Sequence, residues 1–289
     1  LIDTLLMGFR VKTLVDHQIM LRRPKQYRQL ISKCLADHQG LEAPIETQDD
    51  LLTSIIRKQQ VKRLILSNSK FLGSPSWMLS GGAFYQKAGA NVAALRGLFS
   101  QHPCSLFLAL RNPAPLISAA FAAQNSRSFA EFKGDTRLQD IRWSRVVAEI
   151  QAAVPDCPLT VWCHEDTPII WRKVLQHVTN LDQDTTFAGE LNILKKIISP
   201  DGTARLEKYL KSHPQLTLLQ REQVFAIFLE KFVVEDEVEE VIDLPGWTDH
   251  IVTDMTEIYE RDIHKIMDME GVNFIAPRSL PDPRPASAN

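Results

Sequence analysis

Cysteine is scarce in this chain, and the four it has (Cys34, Cys104, Cys157 and Cys163) form no Cys-x-x-Cys pair and no His/Cys cluster at zinc spacing. That gives no support to a zinc site and favours reduced thiols. Cys104 and Cys163 fall at strand-like positions, where cysteine most often serves as a small buried hydrophobe. Basic excess is also missing: 33 Lys and Arg against 35 Asp and Glu leave a net charge of -2. A protein whose main business is holding nucleic acid normally carries a positive surplus, so no nucleic-acid partner is expected. Long apolar runs are absent, since none reaches the ~18 residues of a membrane span. Asp3, Arg10, Lys12 and Asp16 interrupt the first twenty residues, unlike a signal peptide. A cytoplasmic protein with no membrane partner is the expectation. The glycine-rich fingerprints are missing as well: there is no GxxxxGK[ST] and no dinucleotide motif, nor any GxSxG or HExxH.

What remains is an ordinary globular composition, 44% hydrophobic and 24% charged over 289 residues. A chain of this length buries roughly 75% of its unfolded surface, enough for one large or two modest domains. Apolar spacing predicts helices over residues 1–20, 25–38 and 47–60, the last with Thr47 as N-cap. Leu64-Ile65-Leu66 reads as a first strand, followed by a Ser/Gly-rich loop to Gly82 and a helix over 86–100. Ser105 to Leu110 is a second strand, and a small-residue helix follows to about Gln124. Ser128-Phe-Ala-Glu131 carries a capping-box pattern, and 140–154 is helical. Leu159 to Cys163 is a third strand, and Thr167-Pro168 opens a helix to about Val178. Beyond Leu191 strands nearly vanish; helices are predicted at 190–198, 201–212, 218–234 and 248–268. Strand alternating with helix over 61–180 calls for parallel pairing by right-handed crossovers.

Three strand ends carry the chemistry. Leu110-Arg111-Asn112-Pro113 delivers an arginine to a strand's carboxyl end beside a helix start, the usual place for an anion site in an α/β sheet. The plainer reading is an arginine bridging to a carboxylate such as Asp166. His164-Glu165-Asp166 places three ionisable groups just past the third strand, suited to acid/base work or, more simply, to capping the next helix through Asp166 or Thr167. Ser67-Asn68-Ser69-Lys70 suits an oxyanion or a sugar hydroxyl, or merely a polar loop. The acidic run Glu235 to Glu240 reads as a solvated helix face.

In this order the strand ends resemble the sulfotransferase family, enzymes of P-loop-type α/β fold that move sulfate from 3'-phosphoadenylyl sulfate to a hydroxyl or amine. Leu110-Arg111-Asn112-Pro113 is similar to the family's strand ending in Arg-Asn-Pro, whose arginine binds the nucleotide 3'-phosphate with a serine eight residues on. Here Ser118 stands seven residues on and Ala119 eight. Cys163-His164-Glu165-Asp166-Thr167 resembles the family's Tyr-Glu-Asp-Leu, with His for Tyr. Leu66-Ser67-Asn68-Ser69 resembles a strand ending Leu-Ser-x-Glu, with Ser69 in the glutamate's place. The resemblance covers roughly residues 61 to 180. It implies an α/β domain with a P-loop-type parallel sheet covered by helices, 61–180 being the sheet core; helical spacing adds a largely helical C-terminal third over 190–268, giving a single domain over 1–276, and the four prolines of Pro277 to Asn289 read as a mobile tail at 277–289. It further implies that Arg111 and Ser118 hold the cosubstrate, that His164 or Glu165 is a base, and that the partners are this nucleotide and an unidentified acceptor. The family's phosphosulfate-binding strand and Lys-x-Gly-Thr-Thr loop are expected before Leu1. The alternative is a non-catalytic relative that keeps the fold to bind a nucleotide, a sulfated ligand or a protein partner.

Overall fold

The computed structural model describes residues 18–21, 24–57, 59–124, 126–182, 185, 187, 189–238 and 242–277. Along the chain it runs β1 (Ile19–Leu21), α1 (Pro24–Asp37), α2 (Ile45–Ile56), β2 (Arg63–Ile65), α3 (Ala88–Gly97), β3 (Leu106–Leu110), α4 (Pro113–Ala122), α5 (Phe129–Lys133), α6 (Trp143–Ala153), β4 (Leu159–Cys163) and α7 (Thr167–Thr179). The helical C-terminal part follows as α8 (Leu194–Ile197), α9 (Pro200–Ser212), α10 (Leu218–Phe232), α11 (Glu235–Val238) and α12 (Asp249–Met267), before β5 (Val272–Phe274) closes the order. This is an α/β chain with two small parallel sheets, β1-β2 and β3-β4-β5.

The three-stranded sheet is covered on both faces, which is why its strands read as continuous apolar runs rather than alternating ones. Leu106, Leu108 and Leu110 of β3 join Leu159, Val161 and Cys163 of β4 in a layer with α6 and α12. The opposite faces, Phe107, Ala109 and Trp162, pack with Ile170, Trp171, Val174 and Leu175 of α7. Ile19 and Ile65, from the two-stranded sheet, belong to that same second layer. A separate cluster, Leu194, Ile198, Leu206 and Phe225, holds α8, α9 and α10 together.

Several expectations are corrected. The helix predicted over 1–20 falls mostly on 1–17, outside the described residues, but its end is strand. Gln18 adopts a left-handed φ of 55°, which breaks any helix, and its carbonyl accepts the Lys62 N–H at 2.9 Å. Ile19–Leu21 then pairs in parallel with Arg63–Ile65. The second helix begins at Ile45, with Pro44 at the N-cap and no side-chain cap, instead of at Thr47. Helix 190–198 shrinks to Leu194–Ile197, because 189–193 turns to seat the buried Glu190 between Arg172 (3.3 Å) and Arg221 (2.8 Å). The unpredicted β5 spans only three residues, too short for any periodicity, and adds to the sheet beside β4. The tail from 278 onward lies outside the described residues. No helix among the described residues is long and apolar enough to cross a membrane.

Candidate functional site at the carboxyl edge of the sheet

Strands β3 and β4 run parallel with Leu110 opposite Cys163, so Arg111–Asn112 and His164–Asp166 emerge side by side. The structure brings Arg111, Asn112 and Glu165 together as the sequence anticipated, and adds two residues from α12. The Asn112 N–H donates to Glu165 Oε1 at 2.7 Å, and the Tyr259 hydroxyl donates to Glu165 Oε2 at 2.9 Å. Asn112 Nδ2 donates to Thr256 Oγ1 at 2.9 Å, and Thr256 Oγ1 donates in turn to the Val252 carbonyl. The Arg111 carbonyl accepts from Trp143 Nε1 at 2.8 Å. Trp143 is stacked on Tyr85 and meets Phe84 edge-on, so an aromatic block lies against the backbone that presents the arginine. Arg111 is itself half-buried.

The helix start beside Arg111 behaves differently from expectation. Helix amino ends usually offer free N–H groups to anions. In α4, Pro113 and Pro115 have none, the Ala114 N–H is taken by Asn112 Oδ1 at 3.0 Å, and the Leu116 N–H reaches the Asn112 carbonyl at 3.2 Å. The first turn of α4 therefore offers an anion the helix dipole but no amide to bond. Ser118 is buried within α4 beside Ile117, about 7 Å along the helix from its start.

Glu165 acts as a strut: both oxygens are engaged, one tying β4 to β3 and the other tying β4 to α12. Burial, then the neighbouring Glu165 and Cys163 charges, push the Tyr259 phenol far up, so it stays a donor. Burial pushes the Cys163 thiol up to about 12, which keeps it protonated and unreactive. Asp166 does not cap α7, because its φ/ψ of -79°/-13° is already helical, whereas an N-cap is extended. Thr167 does the local tying instead: its hydroxyl donates to the His164 carbonyl at 2.6 Å and accepts from Trp162 Nε1 at 3.2 Å. Half-buried and beside Glu165, the Asp166 carboxyl has its pKa raised to about 6, burial being the larger cause. Asp166 is therefore the carboxyl of this edge whose charge changes near neutral pH.

The third strand end is built differently. Ser67 is held through its backbone by the hydroxyl of the buried Tyr27, whose oxygen accepts the Ser67 N–H at 2.7 Å. Asn68 Oδ1 accepts from the Lys70 N–H at 3.1 Å in a local turn, and Ser69 and Lys70 face solvent. In sequence Tyr259 is only one of the apolar positions of the last long helix, and nothing in its spacing or in that of Thr256 marks them as reaching a strand end. Elsewhere, a groove of about 360 Å³ is lined by Glu190, Lys195, Glu207, Lys211 and Arg221 among others. There Arg221 is paired with Glu190 and Lys195 with Glu207. No group of three or more metal-ligating residues occurs among the described residues.

No family model matches the chain, and neither a curated protein nor a solved structure matches it.

Proposed function

We propose that the carboxyl edge of β3 and β4 binds a phosphate-bearing nucleotide through Arg111, and that the chain is sulfotransferase-like, taking 3'-phosphoadenylyl sulfate as cosubstrate and a hydroxyl or amine as acceptor. The observation that carries this reading is the fixing of Arg111. Its carbonyl is held by Trp143 and the next residue by Glu165 and Thr256, so a guanidinium is presented at the strand end on an immobilised backbone. Guanidinium makes bidentate, charge-assisted contacts to phosphate, which suits the 3'-phosphate that the resemblance assigns to this arginine. Ser118, buried in α4, is the second contact the resemblance suggests.

Transfer of a sulfuryl group in line from the nucleotide to an acceptor oxygen or nitrogen requires the acceptor's proton to leave. Glu165 is engaged at both oxygens, so we assign that role to Asp166, with His164 alongside it at the edge. Positive groups fixed around the sulfonate would stabilise its charge as the bond to the nucleotide breaks. One observation favours the second reading, a non-catalytic binder: Glu165 and the first turn of α4 are fully occupied by internal bonds. The test is incubation of the full chain with 3'-phosphoadenylyl sulfate labelled in the sulfate, with pools of alcohols, phenols and amines as acceptors. Label moving to an acceptor, and moving far less with Asp166→Asn, supports the enzyme. Nucleotide binding with no label moved to any acceptor decides for the binder.

A further inference from the structure

The groove of about 360 Å³ lies on a seam and shares no residue with the strand-end site. Phe187 on its floor belongs to the apolar layer of α7, whereas Leu191 and Leu210 pack on the separate cluster of α8, α9 and α10. Small-molecule sites form preferentially on such seams, in clefts of roughly 300–1,000 Å³. Two residues of the lining keep donors that nothing else takes. Arg221 spends Nε and Nη2 on a single oxygen, Glu190 Oε1, at 3.1 and 2.8 Å. Glu190 is buried and also held by Arg172 at 3.3 Å, so the plane of the Arg221 guanidinium is fixed. Its Nη1 has no partner among the described residues. Lys211, exposed on the rim, makes no hydrogen bond or ion pair among them either. Lys195, by contrast, is neutralised by Glu207. The wall is closely built: at Gly189, whose φ is +86°, a Cβ would stand 2.7 Å from Asn192 Nδ2. Asn192 is thereby laid against backbone, half-buried, with its amide unengaged among the described residues.

We propose that this groove binds a small organic monocarboxylate with an aromatic or aliphatic body, the carboxylate taken by Arg221 Nη1 and Lys211 and the body lying on Phe187, Leu191 and Leu210. The charge of the lining selects a single negative charge. Lys195, Lys211 and Arg221 stand against Glu190 and Glu207, a surplus of one cation that one carboxylate balances. A polyanion such as a nucleotide meets the two fixed carboxylates of the lining and is repelled by them. The guanidinium is already held in plane by the buried Glu190, so it loses little rotamer freedom on taking a ligand oxygen. Apolar contact with Phe187, Leu191 and Leu210 supplies the remainder of the affinity. The Asn192 amide is placed to bond a hydroxyl or carbonyl carried on the ligand's body.

This inference is independent of the nucleotide reading. The test titrates the purified full chain, carrying methyl-labelled leucine, with 4-phenylbutyrate, octanoate and indole-3-acetate, and follows the leucine methyl signals by NMR. At least one of the three is expected to bind with a Kd of about 1 mM, the scale for about a dozen non-hydrogen atoms, and to shift the Leu191 and Leu210 methyls. The uncharged 4-phenylbutanamide and the Lys211→Glu variant should each weaken binding about tenfold, the scale of a charge-assisted contact. Lys211 is exposed and unpaired among the described residues, so the variant keeps its fold; Lys211→Arg keeps the charge and should bind as the wild type does. Saturating 3',5'-phosphoadenosine should leave the probe in place, whether or not that nucleotide binds at Arg111. No binding by any of the three carboxylates up to about 10 mM would overturn the proposal. Equal binding of the amide, equal binding by Lys211→Glu, or displacement by 3',5'-phosphoadenosine would overturn it as well.

Discussion

The Tyr259 hydroxyl donates to Glu165 Oε2 at 2.9 Å across 94 residues of sequence, so the last long helix is bolted to the end of β4. Tyr259→Phe keeps the ring in the core and removes this bond together with the hydroxyl's longer contact to the Leu110 carbonyl at 3.3 Å. Because Glu165 is exposed on its outer side, water replaces the lost donor, and the expected cost is about 1 kcal/mol in chemical denaturation. The same variant loosens the Asn112 end of the strut and should weaken nucleotide binding several-fold. A loss of stability with unchanged binding would confine the strut to a structural role.

Asp166 sets a pH dependence whose sign follows from its raised pKa. The folded chain holds the proton up to about 6, above the ordinary 3.8, so the group's stabilising contribution is full below 3.8 and is lost as pH rises through about 6. Asp166→Asn removes the charge and should raise stability at pH 7–8, by roughly 1 kcal/mol once solvent screening of the half-buried carboxyl is allowed for. Melting temperature measured from pH 4 to 8 checks this, with the variant's curve flatter than the wild type's.

Buried Asp262 on α12 accepts the Ser144 N–H at 2.9 Å, capping the amino end of α6 from outside that helix. Asp262→Ala leaves a buried backbone donor unsatisfied and should cost about 2 kcal/mol, the scale of a charge-assisted bond. Urea unfolding of the variant measures it directly.

Gly202 lies in the first turn of α9, where alanine would ordinarily be the better helix former. A Cβ built there would stand 2.5 Å from Phe232 Cβ, so the crossing of α9 and α10 depends on glycine. Gly202→Ala should therefore destabilise by about 1–3 kcal/mol, against the gain its helix propensity alone would give. Denaturant midpoints of the two proteins decide between these opposed effects.

The parts of the fold that sequence conveyed are those with a strong local signal. Leu106–Leu110 and Leu159–Cys163 are apolar runs bounded by proline or polar turns, and Asp249–Met267 carries a long apolar stripe. Ser128 and Glu131 form the capping box their spacing announced. What escaped was set by distant partners. Ile19–Leu21 becomes strand because Arg63–Ile65 lies beside it, and Val272–Phe274 because Leu159–Val161 does. At the site, the neighbourhood of Arg111, Asn112 and Glu165 was legible from the parallel order of the strand ends. The engagement of Glu165 by Tyr259, and the use of the first turn of α4 by Asn112, are side-chain geometry that spacing does not encode.

The central claim is that Arg111 holds a nucleotide phosphate at the end of β3. Titration calorimetry of the full chain with 3',5'-phosphoadenosine tests it most directly. The account predicts measurable binding by the wild type and a loss of about 1.5–3 kcal/mol with Arg111→Ala, the range of a charge-assisted contact. No binding by the wild type, or equal binding by the variant, would contradict it.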